Sequence, residues 1–269
     1  MKLAVAMAAL VVAMSACSAP AWAAAIKPED RASTHIIGVI VELGEQAEIK
    51  TVGVTAFGNT SSELPIGDWG LNDLAQAEVR KVLAGQYVVK PAPVDAATMA
   101  TIRDSVENHK KMPLPRLLQG LPASDIDTYL VLIPMTGSLP SPSNQSVDGL
   151  GVYHQGRLPH LGDSTSTNGV VYASFVCFVI SAKTTKLIGF APALTANSDK
   201  PFQLLQPTPD DPRFPYAYIS GAGWQPQAGD LSEGQKAFIK SELSSLLTES
   251  IDYTLGKLGL VDGFRRPTP

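Results

Sequence analysis

The feature that most constrains the fold is the apolar segment from Gly169 to Ser181, in the second half of the chain. Apolar residues occupy both alternations of this segment, so neither side of an extended backbone there suits contact with water. That pattern is typical of a strand that other elements cover on both faces. We therefore expect Gly169 to Ser181 to form one continuous strand at the centre of a sheet.

Several other segments predict strands and helices around this central strand. Two runs rich in β-branched residues, His35 to Leu43 and Ala47 to Phe57, flank a short turn that contains Gly44 and together resemble a β-hairpin. Apolar residues spaced by threes and fours predict a helix from Leu71 to Leu83. Further predicted elements are a short strand at 86–90, a helix from Asp95, strands at 128–133 and 186–194, and polar loops at 60–67 and 138–168.

The order of these elements predicts the class of fold. Ser232 and Gln235 form a capping-box pattern that opens a long amphipathic helix to about Leu258. Strands followed by helices predict an α+β fold, with a mixed, largely antiparallel sheet and helices packed on it. We expect a single domain over residues 24–260 and a frayed tail over 261–269. Trp69, just before the helix at 71–83, is expected to seal an edge of the core, with a contact role as the alternative.

The start of the chain has the layout of an export signal. Lys2 is followed by an apolar run from Leu3 to Met14, which is shorter than the ~20 residues that a membrane-spanning helix needs. Ala21 and Ala23 are small residues at the two positions that signal peptidase reads. Cleavage after Ala23 would make residues 1–23 the signal peptide of a soluble periplasmic protein.

A second interpretation of the same leader stays open. Met14 to Cys17 resembles a bacterial lipobox, in which case residues 1–16 are removed and Cys17 carries a lipid. Both interpretations place the protein in the bacterial periplasm or on the periplasmic face of the outer membrane. Membrane contact is expected only through that lipid anchor.

Charge and cysteine content narrow the choice of partner. The formal net charge of -4 and the lack of a basic stripe argue against nucleic acid as a partner. The chain has two cysteines, and Cys17 is either removed or lipidated in the two interpretations above. Cys177 then has no intramolecular partner, so we expect no internal disulfide and a small buried thiol within an apolar run.

Three short phrases of the sequence resemble a family of bacterial envelope proteins. Thr51 to Asn59, Asp127 to Val131 and Ile180 to Ile188 resemble phrases of the envelope lipoproteins related to the curli-secretion channel. The amino-terminal domain of the Tol translocation protein shares that general architecture. The resemblance implies strands and helices in alternation, closed by a hairpin, and it assigns no catalytic residues. Residues 138–168 lack the alternation that membrane hairpins need, so a secretion-pore-like lipoprotein is only an alternative.

Residues with catalytic or metal-binding chemistry form no familiar pattern in the sequence. A nucleophile elbow, a phosphate loop and a zinc-protease helix are all missing, so we predict no catalytic residue, no metal and no cofactor. His154, His160 and Asp163 are close in sequence, but their spacing fits neither one helix face nor a tight metal loop. They define an alternative function, an unrecognised periplasmic hydrolase, which requires these side chains to converge in a pocket.

The most unusual stretch is the segment from Pro201 to Gln227, which interleaves aromatic residues with prolines. Loops of this length are often functional, and stiff aromatic side chains present a binding surface at low entropic cost. We predict a non-enzymatic binding or assembly component that contacts an envelope protein partner through this segment. The alternative is that the segment covers a sheet edge. The predicted partner-binding residues are Arg213, Phe214, Tyr216, Tyr218 and Trp224.

Overall fold

The structure, a computed structural model, describes residues 23–52, 59–107, 114–121, 124–138, 146–155, 168–193, 216–220 and 228–262. The helices of this part are α1 (Pro28–Ala32), α2 (Leu71–Leu83), α3 (Ala96–Glu107), α4 (Leu114–Gln119) and α5 (Glu233–Lys257). Its first six strands are β1 (Ile36–Val41), β2 (Gln46–Val52), β3 (Thr60–Pro65), β4 (Val88–Pro91), β5 (Thr128–Pro134) and β6 (Thr136–Ser138). The others are β7 (Ser146–Asp148), β8 (Leu150–Gln155), β9 (Asn168–Ala173), β10 (Phe175–Ser181), β11 (Leu187–Pro192) and β12 (Tyr216–Ser220).

Sheet one is a five-stranded sheet with the order β11-β10-β5-β1-β4. Its strand β1 runs parallel to β4 and β5, whereas β10 runs antiparallel to both β5 and β11. Alternate residues of β5 point to opposite faces, so Leu130 and Leu132 join one cluster of buried residues while Val131 and Ile133 join another. The first cluster, the large core, includes residues of α2 and α5, and the second core includes residues of α3 and α4. Sheet one is therefore covered by helices on both faces.

Sheet two has the order β12-β9-β8-β2-β3. Here β2 runs parallel to β8 and antiparallel to β3, and the remaining pairs are antiparallel. One face contributes Ile49, Val152 and Val171 to the large core, where α5 packs against it. Glu48 and Tyr172 alternate with those residues and belong to the opposite face. A two-stranded ribbon of β6 and β7 completes the strands of the described part.

The segment from Gly169 to Ser181 is not one strand, contrary to the prediction. It divides into β9, which belongs to sheet two, and β10, which belongs to sheet one. The break is at Ser174, whose amide donates to the Gly149 carbonyl at 2.7 Å and whose carbonyl accepts from the Met135 amide at 3.1 Å. These hydrogen bonds redirect the backbone from one sheet into the other. Both halves are nevertheless interior strands of their sheets.

The predicted hairpin near the start of the chain is also wrong. The strands β1 and β2 lie in different sheets and do not pair with each other. Gly44, between them, has a φ of +89°, a conformation that suits glycine because it has no Cβ. The turn therefore carries the chain between the two sheets. The predicted continuation of the second strand to Phe57 lies partly in residues 53–58, outside the described residues.

Two segments that were predicted to be loops because they are polar contain strands. Residues 60–67 include β3, and the stretch from 138 to 168 includes β7 and β8. By contrast, the α+β class, the largely antiparallel pairing, the hairpin of β10 with β11 and the helix α2 are confirmed. The capping box at the start of α5 is confirmed as well. Within the described residues, no helix has both the length and the apolar character needed to cross a membrane.

Candidate functional site

An open cleft of about 640 Å³ lies between the turn that precedes α2 and the first turns of α5. One wall is formed by residues 45–46, 64–65 and 67–69, which belong to the end of sheet two and the turn after it. The other wall is one face of α5. The volume falls within the ~300–1,000 Å³ typical of ligand sites. The cleft is therefore large enough to hold a ligand of ordinary size.

Trp69 is held in the cleft by a short turn with defined hydrogen bonds. The amide of Ile66 donates to the Glu45 carbonyl at 2.9 Å, and the amide of Trp69 donates to the Ile66 carbonyl at 2.9 Å. Gly70 follows with a φ of +71°, which turns the chain into α2 and favours glycine. Trp69 is half-buried against the large core and also lines the cleft. Trp69 therefore packs against the edge of the core, as expected, and is also placed where a ligand could contact it.

The opposite wall presents residues spaced by three and four along α5. Glu233, Lys236, Ala237 and Lys240 share this face, as the helical period requires. The Nζ atom of Lys236 lies 2.8 Å from a carboxylate oxygen of Glu233. Next to this face, the buried stripe of α5 fixes the helix to the large core. The wall is thus a charged surface on a firmly packed helix.

Beneath the first wall lies a network of charged side chains that supports the turn. The Nε and Nη2 atoms of Arg103, on α3, both lie 3.2 Å from one oxygen of Glu42. The Nη1 atom of Arg103 lies 2.7 Å from the Glu45 carboxylate. Glu42 is fully buried, and its other oxygen accepts from the Gly44 amide at 3.2 Å. Glu45 thus connects a buried ion pair to the turn that carries Trp69.

Burial dominates the electrostatics of Glu42. Removal from water raises the pKa of its carboxyl above the ordinary value, although Arg103 and the Gly44 amide act in the opposite direction. In the part of the chain that is described, no three His, Cys, Asp or Glu side chains are close enough to hold a metal ion.

Several polar groups in the cleft are without a partner in the part of the chain that the structure describes. Among the described residues, the side chains of Gln46, Asp68 and Lys240 form no hydrogen bond or ion pair. The same holds for the indole N–H of Trp69. Gln46 and Asp68 on one wall and Lys240 on the other are exposed, so water can reach these three side chains. A ligand could therefore take over their hydrogen bonds without breaking a contact within the fold.

Most of the site residues predicted from the sequence cannot be compared with the cleft. Arg213, Phe214 and Trp224 lie outside the described residues, as do Cys17, His160 and Asp163. His154 lies on β8. The backbone of β12 places Tyr216 opposite Tyr172 and Tyr218 opposite Val170, at the edge of sheet two. One part of the Pro201 to Gln227 segment thus extends a sheet, while its role in binding a partner stays a prediction.

Cys177 has the environment that the sequence predicts. It is a free thiol, fully buried in the large core on β10. Burial raises its pKa because the thiolate would have to form without water around it.

Most of the cleft is not evident from the sequence. The polar residues at 233, 236 and 240 repeat at helical spacing beside the apolar stripe of α5, and this signal marks an exposed face. Trp69 between Asp68 and Gly70 is a second signal, because a large aromatic in a turn is seldom fully buried. Nothing local identifies Gln46, which joins the site only because the end of sheet two lies against α5.

No protein-family model and no curated protein matches the chain. Among solved structures, it is similar to the hypothetical protein CT253 from Chlamydia trachomatis, with 9% identity, a TM-score of 0.25, and coverage of 81% of this chain and 98% of that chain. It is also similar to a PelC dodecamer from Paraburkholderia phytofirmans, with 11% identity, a TM-score of 0.24, and coverage of 85% and 94%. TM-scores this low do not indicate a shared fold. The resemblance to the curli-related lipoproteins therefore stays a prediction.

Proposed function

We propose that the protein is a non-enzymatic binding component of the bacterial envelope and that the cleft beside Trp69 is its binding site. The leader sequence supports export, as a soluble periplasmic protein or as a lipoprotein anchored at Cys17. The observation that carries the binding function is the composition of the cleft. A half-buried indole ring lines the cleft together with three polar side chains, Gln46, Asp68 and Lys240, that have no partner in the described part of the protein.

This composition suits binding for two physical reasons. Aromatic side chains supply much of the free energy of recognition, because they bury a large apolar area with few rotatable bonds. Polar groups that only water satisfies can exchange that water for a ligand at modest cost. The turn at 67–69 and the packed face of α5 hold both kinds of group in place before the ligand arrives, which lowers the entropic cost of binding.

A fluorescence titration tests the proposal. The chain has three tryptophans, so a protein with Trp22→Phe and Trp224→Phe reports on Trp69 alone. Envelope extract from Gram-negative cells is separated into protein, glycan and lipid fractions, and each is added to this protein. We expect one fraction to give a saturable shift of Trp69 emission. Asp68→Ala or Lys240→Ala should weaken that response about tenfold, because each removes a charge-assisted hydrogen bond.

The control variant is Val88→Ala, which changes an exposed apolar residue on the edge strand β4 of sheet one. Its titration should match that of the parent. A response that survives both cleft substitutions would place the binding site elsewhere. Steady breakdown of a fraction component that depends on Asp68 or Lys240 would show an enzyme instead.

A further inference from the structure

The variety of polar groups in the cleft restricts the chemistry of its ligand. The Gln46 amide both donates and accepts hydrogen bonds, the Asp68 carboxylate only accepts, and the Lys240 ammonium only donates. All three line the same cleft around the Trp69 ring. A ligand that satisfies them together must itself offer both hydrogen-bond donors and hydrogen-bond acceptors.

The balance of charge in the cleft restricts the ligand further. Acidic and basic side chains both line the cleft, with Glu45 and Asp68 on one wall and Glu233, Lys236 and Lys240 on the other. Two of these acids already have cationic neighbours, because Glu233 pairs with Lys236 and Glu45 with Arg103. A polyanion would meet the acids and a polycation would meet the lysines, and each like-charge contact opposes binding. The cleft therefore favours a ligand that is neutral overall.

The indole ring supplies the remaining requirement. The face of an aromatic ring carries partial negative charge and attracts C–H groups, which carry partial positive charge. A pyranose ring has one face of C–H groups and a rim of hydroxyls, each of which can donate and accept. Stacked on Trp69, such a ring would place its hydroxyls toward the polar walls.

We propose that the cleft binds a neutral saccharide chain, an inference that rests on the proposed binding function. Trp69 stacks against the C–H face of one sugar residue. Gln46 and Asp68 accept from hydroxyls on one side, and Lys240 donates to a hydroxyl or ring oxygen on the other. The cleft is open to solvent, so a chain can extend beyond the residue that stacks on Trp69.

Defined oligosaccharides test this inference. The probes are the tetrasaccharides of N-acetylglucosamine, of β-linked glucose and of α-linked glucose, added to the full chain with Trp69 as the sole tryptophan. At least one should shift the Trp69 emission saturably, and calorimetry should give the same dissociation constant. Asp68→Ala should raise that constant at least about tenfold, because a hydrogen bond to a charged group is lost. Gln46→Ala should raise it about threefold, and Val88→Ala should leave it unchanged.

The variants at Gln46, Asp68 and Lys240 change side chains on the rim of the cleft and keep the test independent of folding. Trp69→Ala should abolish binding in calorimetry, with circular dichroism to confirm that the variant is folded. Spermine, a sulfated polysaccharide and a mixed peptide pool serve as competing probes. If one of them binds at Trp69 and no oligosaccharide does, the saccharide inference is overturned while the binding function stands. If neither these probes nor any envelope fraction alters Trp69 emission, both proposals fail.

Discussion

Sheet one and sheet two each have five strands, but they differ in how many of their faces are buried. Sheet one is apolar on both faces and separates the large core from the second core. Sheet two gives only one face to the large core, and its other face combines buried aromatics with charged residues. The difference shows that a polar strand can still be an interior strand, provided that its polar groups have specific partners.

Tyr172 shows how sheet two accommodates its polar face. The ring is fully buried, and its hydroxyl donates to a Glu48 carboxylate oxygen at 3.1 Å. Ser61 donates to the other oxygen of Glu48 at 3.0 Å. Burial and the neighbouring carboxylate raise the pKa of Tyr172 well above its ordinary value, so the hydroxyl stays a donor across physiological pH. The side chain of Tyr172 crosses Gly151 on the adjacent strand, where there is no Cβ to obstruct it.

The largest expected effect comes from sheet one. Leu130→Ala on β5 removes a fully buried side chain from the large core, where helices and strands surround it. We expect a loss of about 3 to 4 kcal/mol in the free energy of unfolding, measured by urea denaturation. Glu63→Ala, at an exposed position on β3 of sheet two, should change it by less than about 0.5 kcal/mol. Equal effects at both positions would contradict the contrast between the sheets.

The glycines of the two sheets provide a finer comparison. A Cβ on Gly151 would meet the Glu48 carbonyl oxygen and lie within 2.5 Å of the Tyr172 hydroxyl, and the backbone of β2 cannot move aside. A Cβ on Gly38 of sheet one would lie 2.6 Å from the end of the Ile126 side chain, which can rotate away. We therefore expect Gly151→Ala to cost about 2 to 3 kcal/mol and Gly38→Ala about 1 kcal/mol.

Gly229→Ala is the control for both glycine substitutions, because no atom of the residues that the structure describes lies within 4 Å of the position of its Cβ. Its effect on the urea midpoint should be negligible. If Gly38→Ala proves the more damaging, sheet one is the more tightly constrained at its glycines, and the account of Tyr172 and Gly151 is wrong.

The same comparison explains how much of the fold the sequence could predict. The elements of sheet one are apolar runs, and β5, β10 and β11 were all predicted as strands. In sheet two, β3 and β8 contain polar or small residues whose partners lie on other strands, so their local pattern resembles a loop. The passage of the chain from sheet two to sheet one at Ser174 could not be predicted from the sequence, because the alternate residues on both sides of it all face the large core. These residues are Val171, Ala173, Phe175, Cys177 and Val179. The alternation therefore continues across the break between β9 and β10.

The candidate site was predictable only in fragments. The helical spacing along α5 and the position of Trp69 are local signals, and both can be read from the sequence. The contact between the end of sheet two and the start of α5 brings together residues almost two hundred positions apart, such as Gln46 and Lys240. A pattern of neighbouring residues cannot predict a contact between positions so far apart in the sequence. The charged network of Glu42, Arg103 and Glu45 is hidden for the same reason.

The last and smallest expected effect concerns Glu42, which lies at the junction of the two sheets. Its pKa is raised in the folded protein above the ordinary value of 4.5, mainly by burial. A raised carboxyl pKa means that the folded state binds the proton more tightly than the unfolded state. The resulting contribution to stability is fully present below about pH 4.5 and is lost as the pH rises through the raised value.

Glu42→Gln isolates this contribution, because the amide has the same shape and does not ionise. The free energy of unfolding is measured from about pH 3.5 to 7, and the variant is subtracted from the parent. The difference should fall above pH 4.5 and then level off. In an Arg103→Met background, which keeps an apolar stem but removes the guanidinium, the fall should be larger and should extend to higher pH, since only the Gly44 amide then offsets burial. A difference that rises with pH would mean that the ion pair with Arg103 outweighs the cost of burying the Glu42 carboxylate. The ionised form of Glu42 would then stabilise the folded protein.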